Sequence, residues 1–469
     1  MTSVVVVGGG ISGLAAAYAL ATGPNPPRIT VLEGSPRLGG KLAGDELEGV
    51  PVDLGAESVL ARRPEAVDLI KAVGLADDLV HPATTSAGIW IGDRIRAIPP
   101  TVMGVPVDPA ATIDVLGSSA ADAVAHEAEL PAPALTEDVA IGRFVAERMG
   151  SAVTDKLIDP LLGGVYAGRA EEISLAAAVP ELYAKLRTAP SLLAATAELR
   201  EAGQRRAGEP VFAGVVGGVN RLISRLEKDL TARGVEIRRQ LAVRRITRTA
   251  DGYALEAGPV PAPTRLTADA VIVAVPASPA ARMLAELVPA ASTELATIEY
   301  ASMAIVTLAV RKRDWPEGAT GSGFLVPSVE GRTIKASTYS HAKWQWSGDA
   351  GGELAVLRAS VGRLGEEYVL QRPDEELVAL ATADLERAVG LQAPVVGSLV
   401  TRWGGGLPQY AVGHLDRVDR IEAAVAAMPG LAVCGAAYRG VGIAACVASG
   451  TKAATRVQAR LDALATMGP

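Results

Sequence analysis

One short segment near the N-terminus restricts what this chain can become more than any other. Ser3 to Val7 is valine-rich, as expected of a strand buried on both faces. Gly8-Gly9-Gly10-Ile11-Ser12-Gly13 follows at once and fits G-x-G-x-x-G. Leu14 to Leu20 is then Ala-rich and helical. Strand, glycines and helix in that order are the context in which the motif binds a dinucleotide. Gly8 permits a tight turn, Gly10 lets backbone approach a pyrophosphate, and Gly13 allows close helix–strand packing. The helix N-terminus offers free N–H groups and partial positive charge to phosphates. A second strand, Arg28 to Leu32, ends at Glu33, 20 residues after Gly13, where an acid binds ribose hydroxyls. The alternative is a glycine-rich turn in an unrelated α/β fold. The motif alone does not choose between FAD and NAD.

The same segment is apolar enough to imitate a targeting or membrane sequence, since no charge precedes Arg28. A signal peptide needs a basic start, which is missing here. A spanning helix needs about 20 apolar residues. The glycines interrupt this stretch, and Pro24, Pro26 and Pro27 close it. The mean hydropathy of +0.26 leaves attachment to a membrane surface open. With 45 basic residues against 52 acidic ones, the net charge is -7. That argues against nucleic-acid binding, so an anionic ligand must find a local positive pocket. Two cysteines, Cys434 and Cys446, and four histidines make neither a disulfide framework nor a metal site. Both cysteines read as small buried apolar residues, and a reducing cytoplasm fits.

At 469 residues the chain has room for two or three domains. Residues 64–80, 108–126 and 136–150 have helical spacing. Leu175 to Ala202 is helical between breaks at Pro180 and Pro190. Strands are expected at Ile89–Ile91, Val211–Val216, Val235–Ile237, Ala242–Arg244, Ala270–Val275, Ala304–Leu308 and Leu354–Leu357. Residues 374–389 form a charged helix, and a last helix starts near Ile443.

The residues after Glu33 point further. Arg37-Leu38-Gly39-Gly40-Lys41 comes next, then Asp53-Leu54-Gly55-Ala56-Glu57-Ser58. Here the chain resembles the FAD-containing amine oxidase superfamily, with Lys41 in place of the second arginine of an Arg-x-Gly-Gly-Arg run. Lysine keeps the charge and loses the bidentate fork. Three more segments narrow the resemblance: Asp159-Pro160-Leu161-Leu162-Gly163-Gly164-Val165-Tyr166-Ala167-Gly168, Thr401-Arg402-Trp403 with Leu407-Pro408-Gln409-Tyr410, and Tyr438-Arg439-Gly440-Val441-Gly442-Ile443. With Leu60 to Arg63 they resemble the porphyrinogen oxidases, and most closely the bacterial type that acts on coproporphyrinogen III.

The resemblance implies an α/β fold of three parts: a discontinuous Rossmann-like FAD-binding domain (1–85, 207–275 and 405–469), a mixed-sheet substrate domain (86–104 and 276–404) and a helical insertion (105–206). It implies that Gly8, Gly9, Gly10, Ile11, Ser12, Gly13 and Leu14 hold the FAD pyrophosphate, Glu33 the ribose, and Lys41 the flavin side. Gly55, Ala56, Glu57 and Ser58 pass along the ring, Trp403 sits beside it, and Val441, Gly442 and Ile443 close over it. Val243 either meets the adenine through its backbone or is plain strand core. The implied reaction removes six electrons from a porphyrinogen in haem biosynthesis, with oxygen reoxidising the flavin to give hydrogen peroxide. No catalytic side chain beyond the flavin is needed.

A polyanionic substrate on an acidic protein needs cations. Arg62 and Arg63 are the expected anchors, a basic residue at the place of Arg63 being functional in the bacterial relatives. Arg94, Arg96, Lys343 and Arg358 read more readily as surface. Leu161, Leu162, Tyr166, Phe324 and Leu325 are expected walls, and His414 a loop residue. Amine oxidases carry a lysine where this chain has Ile305. Three rival readings stand: a protoporphyrinogen oxidase, another flavin desaturase or amine oxidase, and a flavin-free regulator like the Rab GDP-dissociation inhibitors. The resemblance leaves room for a transient ferrochelatase contact and for peripheral contact at the inner face of the membrane.

Overall fold

The computed structural model describes residues 2–204 and 208–466. Its first sheet has five parallel strands in the order Glu236–Arg238, Arg28–Leu32, Ser3–Val7, Ala270–Val273 and Leu431–Val433. The unbroken valines of the central strand follow from its place. Val4 and Val6 face helices Ile11–Ala21, Arg221–Ala232 and Ile443–Thr466. Val5 and Val7 face helices Ala277–Leu284, Pro289–Ala296 and His414–Ala426. Both faces are therefore dry, and none of the four valines exceeds 3% exposure.

A second, mixed sheet has seven strands, in the order Gly397–Pro408, Tyr300–Arg311, Leu354–Val361, Ile334–Thr338, Gly323–Leu325, Ala87–Ile91 and Arg94–Ala97. All neighbours are antiparallel except Gly323–Leu325 with Ala87–Ile91. Its strands alternate. Val306, Leu308, Leu357, Val361 and Phe324 pack with Leu377 and Leu385 of the Asp374–Val389 helix. Met303, Ile305, Arg358 and Ser360 turn the other way and line a cavity.

Residues 110–204 are mainly helical around a core of their own that includes Val145, Met149, Leu157, Leu182 and Leu192. Buried Glu127 organises this part. Its carboxylate accepts from the N–H groups of Leu192 (2.8 Å) and Leu193 (2.9 Å), at the start of the Leu192–Gln204 helix, and pairs with Arg148. An acceptor for otherwise orphaned N–H groups is what a helix start requires.

The expected helices hold with breaks. Residues 64–80 form a helix only over Pro64–Ile70, followed by a wide turn Lys71–Leu75 in which Gly74 takes φ 79°. Helices within 108–126 separate at Gly117, whose φ is 85°. The strand expected at Ala304–Leu308 runs from Tyr300 to Arg311, because a partner of equal length, Gly397–Pro408, pairs along nearly all of it. The sequence pattern predicts no strand at the partner's position. Its glycines and proline hide it from a strand pattern.

Candidate active site

A cavity of about 1150 Å³ is lined by residues of both sheets. Typical small-molecule pockets reach roughly 300–1,000 Å³, so there is room for a large cofactor with a second ligand. One half is built by the glycine turn. The Ile11–Ala21 helix begins at Gly10 with no side-chain cap, so its first N–H groups face the cavity wall formed by Gly10, Ile11 and Ser12. Glu33 fixes the turn: Oε2 accepts from Gly9 N–H and Oε1 from Ser35 N–H, each at 2.7 Å. A Cβ added to Gly10 would meet nothing within 4 Å, whereas one added to Gly13 would lie 2.0 Å from the Gly8 carbonyl oxygen. Gly10 therefore borders open space and Gly13 is pressed against the turn.

Lys41 lines the same cavity and has no ion-pair partner among the described residues. Burial pushes its ammonium pKa down, as expected of a cation whose counter-charge must come from a ligand. Val243 and Arg244 line the wall from the Val243–Arg248 strand. Trp403 donates its indole N–H to Leu54 O at 2.9 Å and lies under the Arg37 guanidinium. Six cations line the cavity (Arg37, Lys41, Arg244, Arg282, Lys343 and Arg358) against two carboxylates, Glu33 and Glu57. That is a local net of four positive charges in a chain of net -7.

Glu57, Lys343 and Arg358 form a cluster on the mixed-sheet side. Lys343 Nζ lies 2.5 Å from Glu57 Oε1 and Arg358 Nη1 2.7 Å from Oε2. Arg358 Nη2 donates to Gly55 O. Burial raises the Glu57 pKa, but the two cations outweigh it and bring it down to about 2. The reading of Lys343 and Arg358 as surface residues is thus corrected: their side chains are 16% and 10% exposed.

The segment Gln409 to His414 joins the helical part to the C-terminal loop. Tyr410 donates its hydroxyl to Ala436 O (2.7 Å) and accepts from Gly440 N–H (2.8 Å). Its ring stacks on His414 at 3.9 Å and packs against Tyr166 at 5.4 Å. His414 is fully buried, with Nε2 2.7 Å from Tyr438 O, and burial brings its pKa down to about 4. It is a core residue, not a loop one. Ala436, Val441, Gly442 and Ile443 of the braced loop line the cavity. Tyr410→Phe removes a hydroxyl that satisfies two backbone groups, worth about 1–3 kcal/mol. The expected outcome is roughly tenfold weaker flavin retention, read by titrating apoprotein with FAD.

Several expected site residues lie elsewhere. Gly9, Gly13 and Leu14 stand behind the wall, Leu14 being fully buried in the helix core. Arg62 and Arg63 are exposed and outside the lining. The chain leaves Ser58 as the strand Val59–Leu60, paired with Ala213 and Phe212, which carries both arginines outward. Arg63 then precedes the Pro64–Ile70 helix and pairs with Glu65. Leu161, Tyr166 and Leu325 also miss the lining. On the Asp159–Tyr166 helix it is Gly164 and Val165 that reach the cavity, while Tyr166 turns to Tyr410. Leu162 and Phe324 are core. Among the described residues there is no metal-ligating cluster and no helix long and apolar enough to cross a membrane.

A Rossmann-type sheet whose glycine turn opens on a cationic cavity, roofed by a mixed sheet, defines a flavin-dependent oxidoreductase, and the chain belongs to the family described as "Flavin containing amine oxidoreductase", which matches residues 11–458. Its cofactor is FAD, and the glycine turn, Glu33, Lys41 and the open space at Gly10 fit it. Within that family the chain is similar to "Coproporphyrinogen III oxidase" of Mycobacterium bovis, 37% identical over 98% of each chain. The protein of that name from Bacillus subtilis is 32% identical over 96% of each. A crystal structure described as "Putative protoporphyrinogen oxidase" from Exiguobacterium sp. 255-15 matches with a TM-score of 0.84 and 33% identity, covering 98% of this chain and 99% of that one.

Proposed function

We propose that this protein oxidises coproporphyrinogen III to coproporphyrin III in haem biosynthesis. The observation that carries the reading is the similarity along nearly the whole chain to relatives that bear that name, and a cationic cavity in an acidic chain fits an anionic ligand. When bound, FAD supplies two-electron acceptor chemistry. Removing six hydrogens from one substrate takes three rounds, with three oxygen molecules reduced to hydrogen peroxide. The protein holds the cofactor and excludes water. Gly8, Gly10, Ile11 and Ser12 serve the pyrophosphate, Lys41 the flavin side, Glu33 the ribose, and Val243 the adenine end. Gly55 to Ser58, Trp403 and Val441 to Ile443 enclose the ring. Segments 1–85, 207–275 and 405–469 act as the FAD domain, 86–104 and 276–404 as the substrate domain, and 105–206 as the insertion. The setting is cytoplasmic, with peripheral contact at the inner membrane face and transfer of product toward a ferrochelatase.

Protoporphyrinogen oxidation is the second reading, favoured by the name of the solved relative. Apolar Ile305 on the cavity wall supports neither an amine substrate nor an amine oxidase's lysine. The test is turnover of both porphyrinogens by the holoprotein, followed by porphyrin fluorescence. The expected result is a higher kcat/KM for coproporphyrinogen III. Equal or faster oxidation of protoporphyrinogen IX transfers the assignment, and turnover of neither overturns it.

A further inference from the structure

The six cavity cations divide unequally between the two walls. Arg37, Lys41, Arg244 and Arg282 stand with the glycine turn, the strand Val243–Arg248 and the helix Ala277–Leu284. Only Lys343 and Arg358 stand on the mixed-sheet wall, beside Met303, Ile305, Thr338 and Ser360. Glu57 cancels one of them, so this wall carries one net positive charge.

The two cations are not equivalent. Arg358 is committed: Nη1 goes to Glu57, Nη2 to Gly55 O, and Nε is buried without an acceptor. It sits in the strand Leu354–Val361 between Thr307 and Thr338, and cannot swing without breaking those bonds. Lys343 ends the short helix Ser340–Lys343. Its ammonium gives one bond to Glu57 and rests over the Trp344 ring at 5.3 Å. An ammonium has three donors, and no other hydrogen bond from Nζ occurs among the described residues. A partly accessible lysine with spare donors, held in place by a carboxylate that a rigid arginine pins, is built to receive an anion from the cavity.

We propose that Lys343, positioned by Glu57 and Arg358, receives one carboxylate arm of the substrate macrocycle. The inference rests on the porphyrinogen reading of the cavity and names the residue that reads the substrate's acid group. One net charge matches one carboxylate. The other arms of a tetracarboxylate then lie toward the open side of the cavity, in water. It follows that Lys343 senses whether a carboxylate is present and does not count carboxylates. Its loss weakens coproporphyrinogen III and protoporphyrinogen IX alike.

The test compares Lys343→Met and Lys343→Arg with the unaltered holoprotein. The substrates are coproporphyrinogen III, protoporphyrinogen IX and the tetramethyl ester of the former. Flavin content and melting temperature are recorded for each protein. Loss of a charge-assisted bond predicts a KM about 10- to 100-fold higher for both acids in Lys343→Met. The readout is the ratio of acid KM to ester KM, which should rise about 10- to 100-fold whatever happens to kcat, and Lys343→Arg should restore most of the loss. Unchanged KM for the acids overturns the proposal, as does an equal loss with acid and ester. If Lys343→Met fails to fold, the unaltered protein decides: it must favour the acid over the ester, and equal KM values overturn the anchor. An unaltered protein inactive on both acids fails the functional reading itself. An active one with an indifferent Lys343→Met fails the anchor alone.

Discussion

Gly10→Val is expected to yield a folded protein that no longer retains FAD. Gly10 has φ -73° and ψ 173°, ordinary extended backbone that valine adopts freely. Its added Cβ meets no protein atom within 4 Å, so a side chain can start there without a backbone clash. The branched side chain instead fills the space in front of the first helix, where the pyrophosphate must approach the N–H groups. A loss of at least about 100-fold in FAD affinity follows, equivalent to roughly 2.7 kcal/mol or more. The measurement is flavin absorbance per purified chain together with titration of the apoprotein. Circular dichroism and melting should match wild-type apoprotein, the proper comparison because bound FAD itself stabilises. Gly13→Ala makes the opposite case. Its Cβ meets the Gly8 carbonyl oxygen at 2.0 Å, a backbone atom that cannot step aside, so folding fails together with binding. A Gly10→Val protein retaining full flavin would remove the cofactor from this turn.

The contrast between the two glycines shows what the sequence made legible. Strand, glycines, helix and Glu33 are consecutive, and each residue's role follows from near neighbours. Glu33 needs only Gly9 and Ser35 to take its place. The continuous valines announced a strand dry on both faces. The substrate wall is different. Glu57 meets Lys343 and Arg358 across 286 and 301 residues of chain, and no local pattern carries that distance. Arg62 and Arg63 follow Gly-Ala-Glu-Ser closely in sequence, but the pairing of Val59 and Leu60 with Ala213 and Phe212 takes them to the surface. One signal was available: Arg358 is the sole charge in the apolar run Leu354 to Val361. A lone arginine in a strand otherwise fit for a core must have a partner or a function.

Arg358→Met should destabilise the fold measurably. It removes one cation from a buried cluster and leaves the Glu57 carboxylate with Lys343 alone. Glu57 keeps its pair with Lys343, so the cost is the lost donors to Glu57 Oε2 and Gly55 O, about 1–3 kcal/mol for each buried acceptor left unsatisfied. Denaturant unfolding of apoprotein should show this, free of any contribution from FAD. The pH dependence gives an independent check. The Glu57 pKa is about 2 in the folded chain against an ordinary 4.5. A depressed carboxyl pKa stabilises the fold above the unfolded value and loses that contribution as pH falls through the folded one. Wild type should therefore lose on the order of 3 kcal/mol from this group between about pH 4.5 and pH 2. In Arg358→Met that loss should shrink, since one of the two cations that depress the pKa is gone. Glu57→Gln should abolish it. The double variant Glu57→Gln with Arg358→Met removes both members of one pair, so its loss should be smaller than the sum of the two single losses. If the double variant is instead less stable by the sum of the two single losses, the residues act independently and the cluster is not the energetic unit that its geometry describes.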